Sequence, residues 1–441
     1  MAEKFRITGG ETLKGEVSIG GAKNAVLKIL AATILVKGVT KIYNVPHLTD
    51  VDIILSLLSE LGAKIIYDPA EKSVVVDASE ITSITAKYEL VSKMRASFII
   101  LGALMSRCKE AIVALPGGCA IGERRVDFHI KGLETLGAKI KIENGYVHAK
   151  ASKLVGADIY LDIPSVGATE NLMLASVTAE GSTRIQNAAR EPEIIDLANF
   201  LNALGADIVG AGTSEIIING VKQESLHPAE YTTIPDRIEA GTFMAAVVAT
   251  KGRAIIKNVY PAHLTFFNDK LIQMGASIKL VEPTTIEVSA RNRLNSINFV
   301  TQPYPGFPTD LQAIAMSLLT TANGVGIITE SLYENRFMQV NDLRRMGADI
   351  HQDRNHAIIK GVKKLEGATV VASDLRAGAA LVIAGLMANG ETIVEKLHHI
   401  DRGYEDFEYK LQNLGAKIVR FNEETSAEGN PSIINGIKGG I

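Results

Sequence analysis

The sequence predicts an α/β protein of two domains, each built from three repeated units with buried helices and outer sheets. A phrase of the form Leu/Met-Gly-Ala-x-Ile recurs six times, with its glycines separated by 75, 68, 70, 72 and 68 residues. A helix of small and aliphatic residues recurs in step with this phrase. Six such units cannot form one ordinary doubly wound sheet, so two groups of three are expected.

The recurring phrase marks the end of a helix and the start of a strand. Its glycine suits the left-handed position just after a helix, and the alternating residues that follow are typical of a strand. The helix before it is amphipathic, as in Asp196–Leu204 and Phe407–Leu414, and is expected to cover the outside. The six glycines are Gly62, Gly137, Gly205, Gly275, Gly347 and Gly415.

The other recurring helix carries few charges and is rich in Ala, Gly, Ser and Leu. Such a helix is expected to be buried on most sides. Each unit is therefore predicted to run as a buried helix, a strand, an outer helix and then a strand or hairpin. The six buried helices are predicted at Lys23–Val36, Arg95–Arg107, Thr169–Ala179, Glu239–Thr250, Asp310–Ala322 and Arg376–Ala388.

The domain boundary is expected where the repeat breaks. The segment Gln223–Asp236 contains two prolines and interrupts the pattern as a linker would. We predict a first domain over residues 22–234 and a second over residues 1–21 plus 235–441. The first strand, predicted over Phe5–Ile19, would then complete the second domain.

Composition and short motifs exclude several function classes. The 441 residues carry a net charge of −3, so no basic surface for nucleic acid is expected. Cys108 and Cys119 are the only cysteines, and no CxxC or His-rich cluster predicts a metal site. No phosphate-binding or dinucleotide motif is present, so no cofactor is expected. The chain lacks a signal peptide or an apolar run of roughly 18–20 residues, which predicts a cytoplasmic protein without membrane insertion.

Charged residues recur at two equivalent places, the start of the buried helix and the loop before the outer helix. If the units are arranged alike, both places lie at one end of each domain, and two facing ends form a cleft that favours anions. Lys23, Arg95 and Arg376 oppose the helix dipole and so indicate an anion, whereas Glu239 and Asp310 fit ordinary capping equally well. The loop positions are Cys119, Arg124, Glu191, Glu193, Arg336 and Arg402.

The stretch Pro116–Arg125 combines Cys119 with three glycines and two adjacent arginines. The arginines favour ionisation of the thiol, and glycines with guanidinium groups suit a loop that approaches a phosphate or carboxylate closely. A glycine turn with an inert cysteine fits the same ten residues.

Taken together, these stretches resemble the UDP-N-acetylglucosamine 1-carboxyvinyltransferase family of enolpyruvyl transferases over nearly the whole chain. The resemblance implies the inside-out, pseudo-threefold EPT/RTPC-like fold. It also implies transfer of the enolpyruvyl group of phosphoenolpyruvate to the 3′-hydroxyl of UDP-N-acetylglucosamine, with release of phosphate. The stretches that carry it are Gly20–Ala25, Met94–Ser97, Leu115–Gly122, Ser165–Thr169, Ala189–Glu193, Pro235–Glu239, Gly306–Asp310, Glu334–Phe337, Ser373–Ala377 and Asp401–Tyr404.

In that family the reaction proceeds by addition and elimination and is the first committed step of peptidoglycan synthesis. The resemblance therefore implies a part in cell-wall biogenesis, cell shape, the cell cycle and cell division. It also implies that fosfomycin, an anionic epoxide that mimics phosphoenolpyruvate, alkylates Cys119.

The resemblance implies a role for each matching residue. Cys119 would protonate C3 of phosphoenolpyruvate, and Asp310 would take the proton of the 3′-hydroxyl; the catalytic set also includes Lys23 and Arg402. The residues implied for phosphoenolpyruvate are Lys23, Asn24, Arg124 and Arg402, with Arg336 and Arg376 near its carboxylate. Those implied for UDP-N-acetylglucosamine are Arg95, Arg124, Arg125, Val126, Asp127, Phe128, Ser165, Val166, Gly167, Asp310 and Leu332. Arg125 and Pro164 depart from the family pattern on the nucleotide side.

Two alternatives stay open. The related 3-phosphoshikimate 1-carboxyvinyltransferase shares the fold and the donor but takes a small phosphorylated cyclohexene; the cysteine loop and Lys23–Ala25 count against it. A non-catalytic homologue that binds the UDP-sugar is the other, and the presence of Lys23, Cys119 and Asp310 counts against that.

Overall fold

The computed structural model describes residues 3–117 and 126–422. Its helices in the first three units are α1 (Lys23–Ala32), α2 (Thr49–Glu60), α3 (Tyr88–Val91), α4 (Ile100–Cys108), α5 (Asp127–Thr135), α6 (Val166–Ser176) and α7 (Pro192–Ala203). Those in the last three are α8 (Arg237–Ala249), α9 (Thr265–Gln273), α10 (Gln312–Thr320), α11 (Val340–Arg345), α12 (Leu375–Met387) and α13 (Phe407–Asn413). Short 3₁₀ helices lie at Thr33–Leu35, Arg95–Ile99, Gln223–Ser225, Pro261–Leu264, Thr309–Leu311 and Leu397–His399.

The strands of the described chain are short. The first twelve are β1 (Lys4–Thr8), β2 (Lys14–Ser18), β3 (Val39–Tyr43), β4 (Lys64–Asp68), β5 (Ser73–Asp77), β6 (Thr85–Ala86), β7 (Glu110–Ala114), β8 (Lys139–Glu143), β9 (Tyr146–Lys150), β10 (Asp158–Tyr160), β11 (Ser182–Gln186) and β12 (Asp207–Val209). The others are β13 (Glu215–Asn219), β14 (Glu230–Thr232), β15 (Arg253–Lys257), β16 (Ser277–Glu282), β17 (Thr285–Ser289), β18 (Phe299–Val300), β19 (Val325–Thr329), β20 (Asp349–Asp353), β21 (His356–Lys360), β22 (Thr369–Val371), β23 (Glu391–Glu395) and β24 (Lys417–Phe421).

These strands form six four-stranded sheets on one plan, which confirms the predicted repeat. In each sheet the first pair of neighbours is parallel and the other two pairs are antiparallel. The orders are β14-β3-β5-β4, β6-β7-β9-β8, β10-β11-β13-β12, β2-β15-β17-β16, β18-β19-β21-β20 and β22-β23-β1-β24.

The central helices are buried, as predicted from their composition. Twelve of the 13 residues of α8 are buried, and α4 packs against α6 as α10 packs against α12. Two of the six predicted helices begin as 3₁₀ turns, at Arg95–Ile99 and Thr309–Leu311. The sheets lie outside these helices, so the fold is two inside-out α/β domains.

The chain termini and the supposed linker complete sheets. Strands β1 and β2, near the N-terminus, pair with β23 and β15 of the last three units. The segment Gln223–Asp236 is more than a linker, because its strand β14 forms the parallel edge of the first sheet beside β3. Pro228 and Pro235 flank this edge strand, where a missing N–H breaks no ladder bond.

The described residues form two separate hydrophobic cores. One runs from Ala22 to Leu226, and the other combines Phe5–Ile19 with Ile238–Ile418. We propose domain boundaries at residues 22–234 and at 1–21 plus 235–441 on the strength of these two cores.

The glycines of the recurring phrase take the left-handed conformation predicted for them. Their φ angles lie between 90° and 111° in all six units. A residue with a side chain is strained there, which explains why glycine ends each outer helix.

At Gly220 two backbone segments of the third unit approach each other closely. It follows β13, and a Cβ built on it would lie 1.6 Å from the carbonyl oxygen of Ala179. We expect Gly220→Ala to lower the free energy of unfolding by about 3 kcal/mol, since backbone must move. Gly181→Ala is the matched control: its φ is +87° but no atom lies within 4 Å, so a loss of about 1 kcal/mol is expected. Urea unfolding of both variants checks the order, and equal losses would contradict the steric explanation.

Candidate active site

A buried carboxylate joins the two halves of the chain. Lys23 begins α1, and its Nζ lies 2.8 Å from Oδ2 of Asp50, in the first turn of α2. Arg402, in the loop before α13, donates through Nε to Oδ1 of the same carboxylate at 2.8 Å. Asp50 is only 1% exposed. Two of the predicted catalytic residues therefore meet at an acid from a third element.

The charges in this cluster depend on one another. Burial lowers the pKa of Lys23, Asp50 opposes this, and the positive charges of Arg376 and Arg402 lower the pKa further. Burial alone would raise the pKa of Asp50, but Lys23 and Arg402 outweigh it and hold that pKa below its usual range. Asp50 is thus an ionised carboxylate that favours the charged form of Lys23.

Asp310 lies between two buried arginines. The 3₁₀ turn Thr309–Leu311 directs its carboxylate so that Oδ1 accepts from Nη2 of Arg336 at 2.7 Å. Its Oδ2 accepts from Nη2 of Arg376 at 3.1 Å. Asp374 caps α12 and so fixes the turn that carries Arg376. The side chains of the two arginines are 6% and 3% exposed, whereas that of Asp310 is 25% exposed.

Within the described chain, each of these two arginines has one hydrogen-bond donor without a partner. Nε of Arg336 and Nη1 of Arg376 are buried and have no hydrogen-bond partner among residues 3–117 and 126–422. A buried N–H without a partner is costly, and an oxygen of a bound anion would satisfy it. The positive charge of Arg376 lowers the pKa of Lys23, so the Asp50 and Asp310 clusters interact electrostatically.

A third group of predicted residues surrounds His129. Gly167, in the first turn of α6, faces this ring, which a Cβ at residue 167 would approach to 3.4 Å. His129 lies in the first turns of α5, and burial together with the charge of Arg95 lowers its pKa to about 3. Ser165 caps α6 by accepting from the N–H of Ala168 at 3.3 Å. The 3₁₀ helix Arg95–Ile99 and α5 both pack against α6, and the predicted residues at the starts of these elements are Arg95, Val126, Asp127, Phe128, Ser165, Val166 and Gly167.

The other predicted site residues make only local contacts or lie outside the described residues. Asn24 follows Lys23 in α1, and its carbonyl accepts from Lys28. Leu332 is 37% exposed and donates its N–H to Glu330. It borders an open cavity of about 480 Å³, lined also by Glu330, Ser331, Glu334, Asn335, Arg354 and Asn355. Cys119, Arg124 and Arg125 lie outside the described residues.

Sequence reasoning missed Asp50, although a signal for it existed. Asp50 occupies, in the first unit, the loop-to-outer-helix position that Arg336 and Arg402 occupy in later units. It also missed Glu330, a buried acid at the end of β19 whose importance depends on contacts that no spacing reveals.

A further buried acid of the first core, Glu170, lies in α6. Burial raises the pKa of Glu170 in α6 to about 7; Lys28, 3.4 Å away, opposes this, and the charges of Glu193 and Glu191 add to it. From about pH 4.5 to 7 the folded chain therefore holds a proton that the unfolded chain has lost, so this group makes stability fall as pH rises.

Glu170→Gln removes that titration. We compare the free energy of unfolding of the variant with that of the parent at each pH. This difference should shift in favour of the variant by about 3 kcal/mol between pH 4 and pH 8, whatever its value at pH 4. Urea midpoints at both pH values measure it. Glu180→Gln, on an exposed side chain after the same helix, is the control. The expectation would be refuted if the difference in the free energy of unfolding between Glu170→Gln and the parent stayed constant with pH.

Comparisons with known proteins agree with this architecture. The profile of the EPSP synthase (3-phosphoshikimate 1-carboxyvinyltransferase) family matches residues 7–411. The enolpyruvyl transferase NikO from Streptomyces tendae superposes with a TM-score of 0.86 and 26% identity, over 95% of this chain and 99% of that one. An EPSP synthase from Acinetobacter baumannii shares the fold, with a TM-score of 0.72 and 18% identity over 95% and 100% of the two chains. The class is thus a transferase of the carboxyvinyl group.

Closer relatives narrow the class. UDP-N-acetylglucosamine 1-carboxyvinyltransferase 2 of Carboxydothermus hydrogenoformans is 54% identical over 96% of this chain and 100% of its own length. The UDP-N-acetylglucosamine 1-carboxyvinyltransferase of Desulfosudis oleivorans is 52% identical over 95% of this chain and 99% of its own. The chain belongs to the UDP-N-acetylglucosamine 1-carboxyvinyltransferase family. In the described ranges, residues 3–117 and 126–422, no helix is long and apolar enough to cross a membrane.

Proposed function

We propose that this transferase moves the enolpyruvyl group of phosphoenolpyruvate to the 3′-hydroxyl of UDP-N-acetylglucosamine and releases phosphate. The observation that carries the proposal is the convergence of Lys23, Arg402, Arg336 and Arg376 on two carboxylates, with buried guanidinium donors left unpaired within the described chain. Phosphoenolpyruvate presents a phosphate and a carboxylate, and each matches a pair of these cations.

The donor would bind across both clusters. Lys23 and Arg402, with Arg124, hold the phosphate, while Arg336 and Arg376 hold the carboxylate. Asn24, next to Lys23, orients the reacting carbons. The fixed cations position the donor and stabilise its charge before the acceptor hydroxyl attacks.

The chemistry is an addition followed by an elimination. In the addition, C3 gains a proton from Cys119, C2 bonds to the 3′-oxygen, and Asp310 takes the hydroxyl proton. In the elimination, C3 gives a proton back to the thiolate of Cys119 as the bond from C2 to the phosphate oxygen breaks. This restores the double bond, and the phosphate leaves with the proton that Asp310 had taken. Asp310 can serve because its carboxylate is partly exposed although both oxygens contact guanidinium groups.

The acceptor would lie against the helix N-termini around His129. Arg95, Arg124–Phe128 and Ser165–Gly167 bind the UDP-sugar from the first half, and Asp310 and Leu332 from the second. The neutral state of His129 leaves the positive charge there to arginine. Arg125 and Pro164 are expected to alter nucleotide contacts, not the reaction.

In the cell, the protein would act in the cytoplasm on the first committed step of peptidoglycan synthesis. Cell-wall biogenesis, cell shape and division would then depend on it. The names of its relatives and their identity of 50–54% support this assignment.

Phosphate release from phosphoenolpyruvate tests the proposal. We expect release with UDP-N-acetylglucosamine and none without an acceptor. Release with 3-phosphoshikimate instead would favour the alternative acceptor, and tight binding of the UDP-sugar without turnover would favour a non-catalytic homologue.

Fosfomycin provides a second test, which locates the reactive thiol. Burial raises the pKa of Cys108, so this thiol is a poor nucleophile at neutral pH. Mass spectrometry is expected to find the adduct on Cys119; an adduct on Cys108, or none, would count against the proposal.

A further inference from the structure

Glu330 is a buried carboxylate to which the mechanism above gives no task. It follows β19 and is 1% exposed. Its Oε1 accepts from Oγ1 of Thr301 at 2.7 Å and from the N–H groups of Leu332 and Tyr333 at 2.9 and 3.2 Å. Its Oε2 accepts from Oγ1 of Thr309 at 2.9 Å. The carboxylate is therefore immobilised by four donors.

The bond to Thr309 leads directly to the Asp310 cluster. Because the hydroxyl proton of Thr309 is committed to Glu330, its oxygen is left to accept, and Nη1 of Arg336 donates to it at 2.9 Å. Nη2 of Arg336 donates to Asp310 at 2.7 Å. With Nη1 and Nη2 both fixed, the plane of the guanidinium group is set. That plane decides where Nε of Arg336 points, the donor that has no partner within the described part of the chain.

We propose that Glu330 is a positioning residue: through the hydroxyl of Thr309 it holds Arg336 in the orientation that receives the carboxylate of phosphoenolpyruvate. This inference rests on the proposed function, because it takes phosphoenolpyruvate as the ligand of Arg336. Glu330 also lines the cavity beside Leu332, but its proposed effect on Arg336 passes only through its neighbours.

A purely structural role for Glu330 is the competing explanation. The two explanations can be distinguished because the two carboxylate oxygens have different partners. Oε1 holds the turn at Leu332 and Tyr333, whereas only Oε2 reaches Thr309. A structural role would act whether or not Thr309 has a hydroxyl. The proposed role disappears when that hydroxyl is removed.

The test is a double-mutant cycle with Glu330→Gln and Thr309→Val. In Glu330→Gln the amide oxygen can keep the three donors at Oε1, and the NH₂ group then faces Thr309 where an acceptor stood. We expect about a tenfold rise in KM for phosphoenolpyruvate with a much smaller change in kcat, the scale of one hydrogen bond to a charged group. Thr309→Val should give a similar rise, and the double variant no more than Thr309→Val alone.

Two further variants complete the design. Thr309→Ser keeps the hydroxyl and should retain a nearly normal KM. Asp353→Asn, on an exposed side chain of the adjoining hairpin, should change nothing. Calorimetric Kd values for phosphoenolpyruvate, measured without the UDP-sugar so that no turnover occurs, give the same comparison.

The outcomes separate the two proposals. The positioning role is overturned if KM in the double variant rises by the product of the two single fold-changes, or if KM in Glu330→Gln is unchanged. Either result leaves the proposed function intact. A wild-type protein that neither releases phosphate nor binds phosphoenolpyruvate overturns the proposed function and this inference with it.

Discussion

Replacing Asp310 by Asn is expected to lower kcat about a thousandfold, since a general base typically contributes 10²–10⁴-fold. The same change removes the negative charge that Arg336 and Arg376 now share at 2.7 and 3.1 Å. Those guanidinium groups would then be more available to an anion, so the Kd for phosphoenolpyruvate should stay level or fall. Steady-state kinetics combined with calorimetry measures both quantities.

The divergence of kcat and Kd is what distinguishes a base from a binding group. Asp349→Asn, on an exposed side chain of β20, is the matched control and should leave both values unchanged. If Asp310→Asn weakened donor binding as much as it slowed turnover, Asp310 would be a ligand of the donor rather than the base.

Asp50→Asn is expected to reduce kcat/KM for phosphoenolpyruvate about a hundredfold at neutral pH. The carboxylate holds Lys23 and Arg402 at 2.8 Å each, and loss of one partner of a buried charge pair typically costs 2–5 kcal/mol. Arg402, whose side chain is 35% exposed, would lose the contact that keeps it in the cleft. Asp52→Asn, on an exposed side chain of the same helix, is the control.

The pH profile of Asp50→Asn separates charge from packing. Lys23 faces Asp50, Arg376 and Arg402, and only Asp50 raises its pKa. Without that carboxylate the pKa of Lys23 falls further, so the ammonium that binds phosphate is lost at a lower pH. The decline of kcat/KM on the alkaline side should therefore begin at lower pH in the variant than in the parent. Parallel profiles would show that Asp50 acts by packing alone.

Much of the fold was predictable because it depends on local conformation. Gly62 and its five equivalents each end a helix in a left-handed conformation that other residues avoid, so a repeat of glycines reveals a repeat of units. The composition of the apolar, charge-poor helices predicts that they are buried. The edge strand β14 was not predictable, because a parallel partner for β3 supplied by residues 230–232 is a long-range pairing that leaves no local pattern.

Candidate site residues could be selected from the sequence by their places in the repeat, and their roles stay predictions. Lys23, Asp310 and Arg376 occupy equivalent positions at the start of the buried helix, and Arg336 and Arg402 occupy equivalent positions in the loop before the outer helix; the resemblance to a known family gave each of them a role. Their present partners were not predictable. The roles of Cys119, Arg124 and Arg125 remain predictions, since these residues lie outside the described ranges.

By itself, the sequence determined the six-unit repeat, the helices that become the cores and the family to which the chain belongs. These follow from residue types and spacings, which act over one or two helical turns or are shared with relatives. Only the tertiary structure decided that Asp50 separates Lys23 from Arg402, and that Glu330 reaches Arg336 through Thr309. Such contacts join segments up to hundreds of residues apart, and their strength depends on burial and on distances of about 3 Å that exist only after the chain has folded.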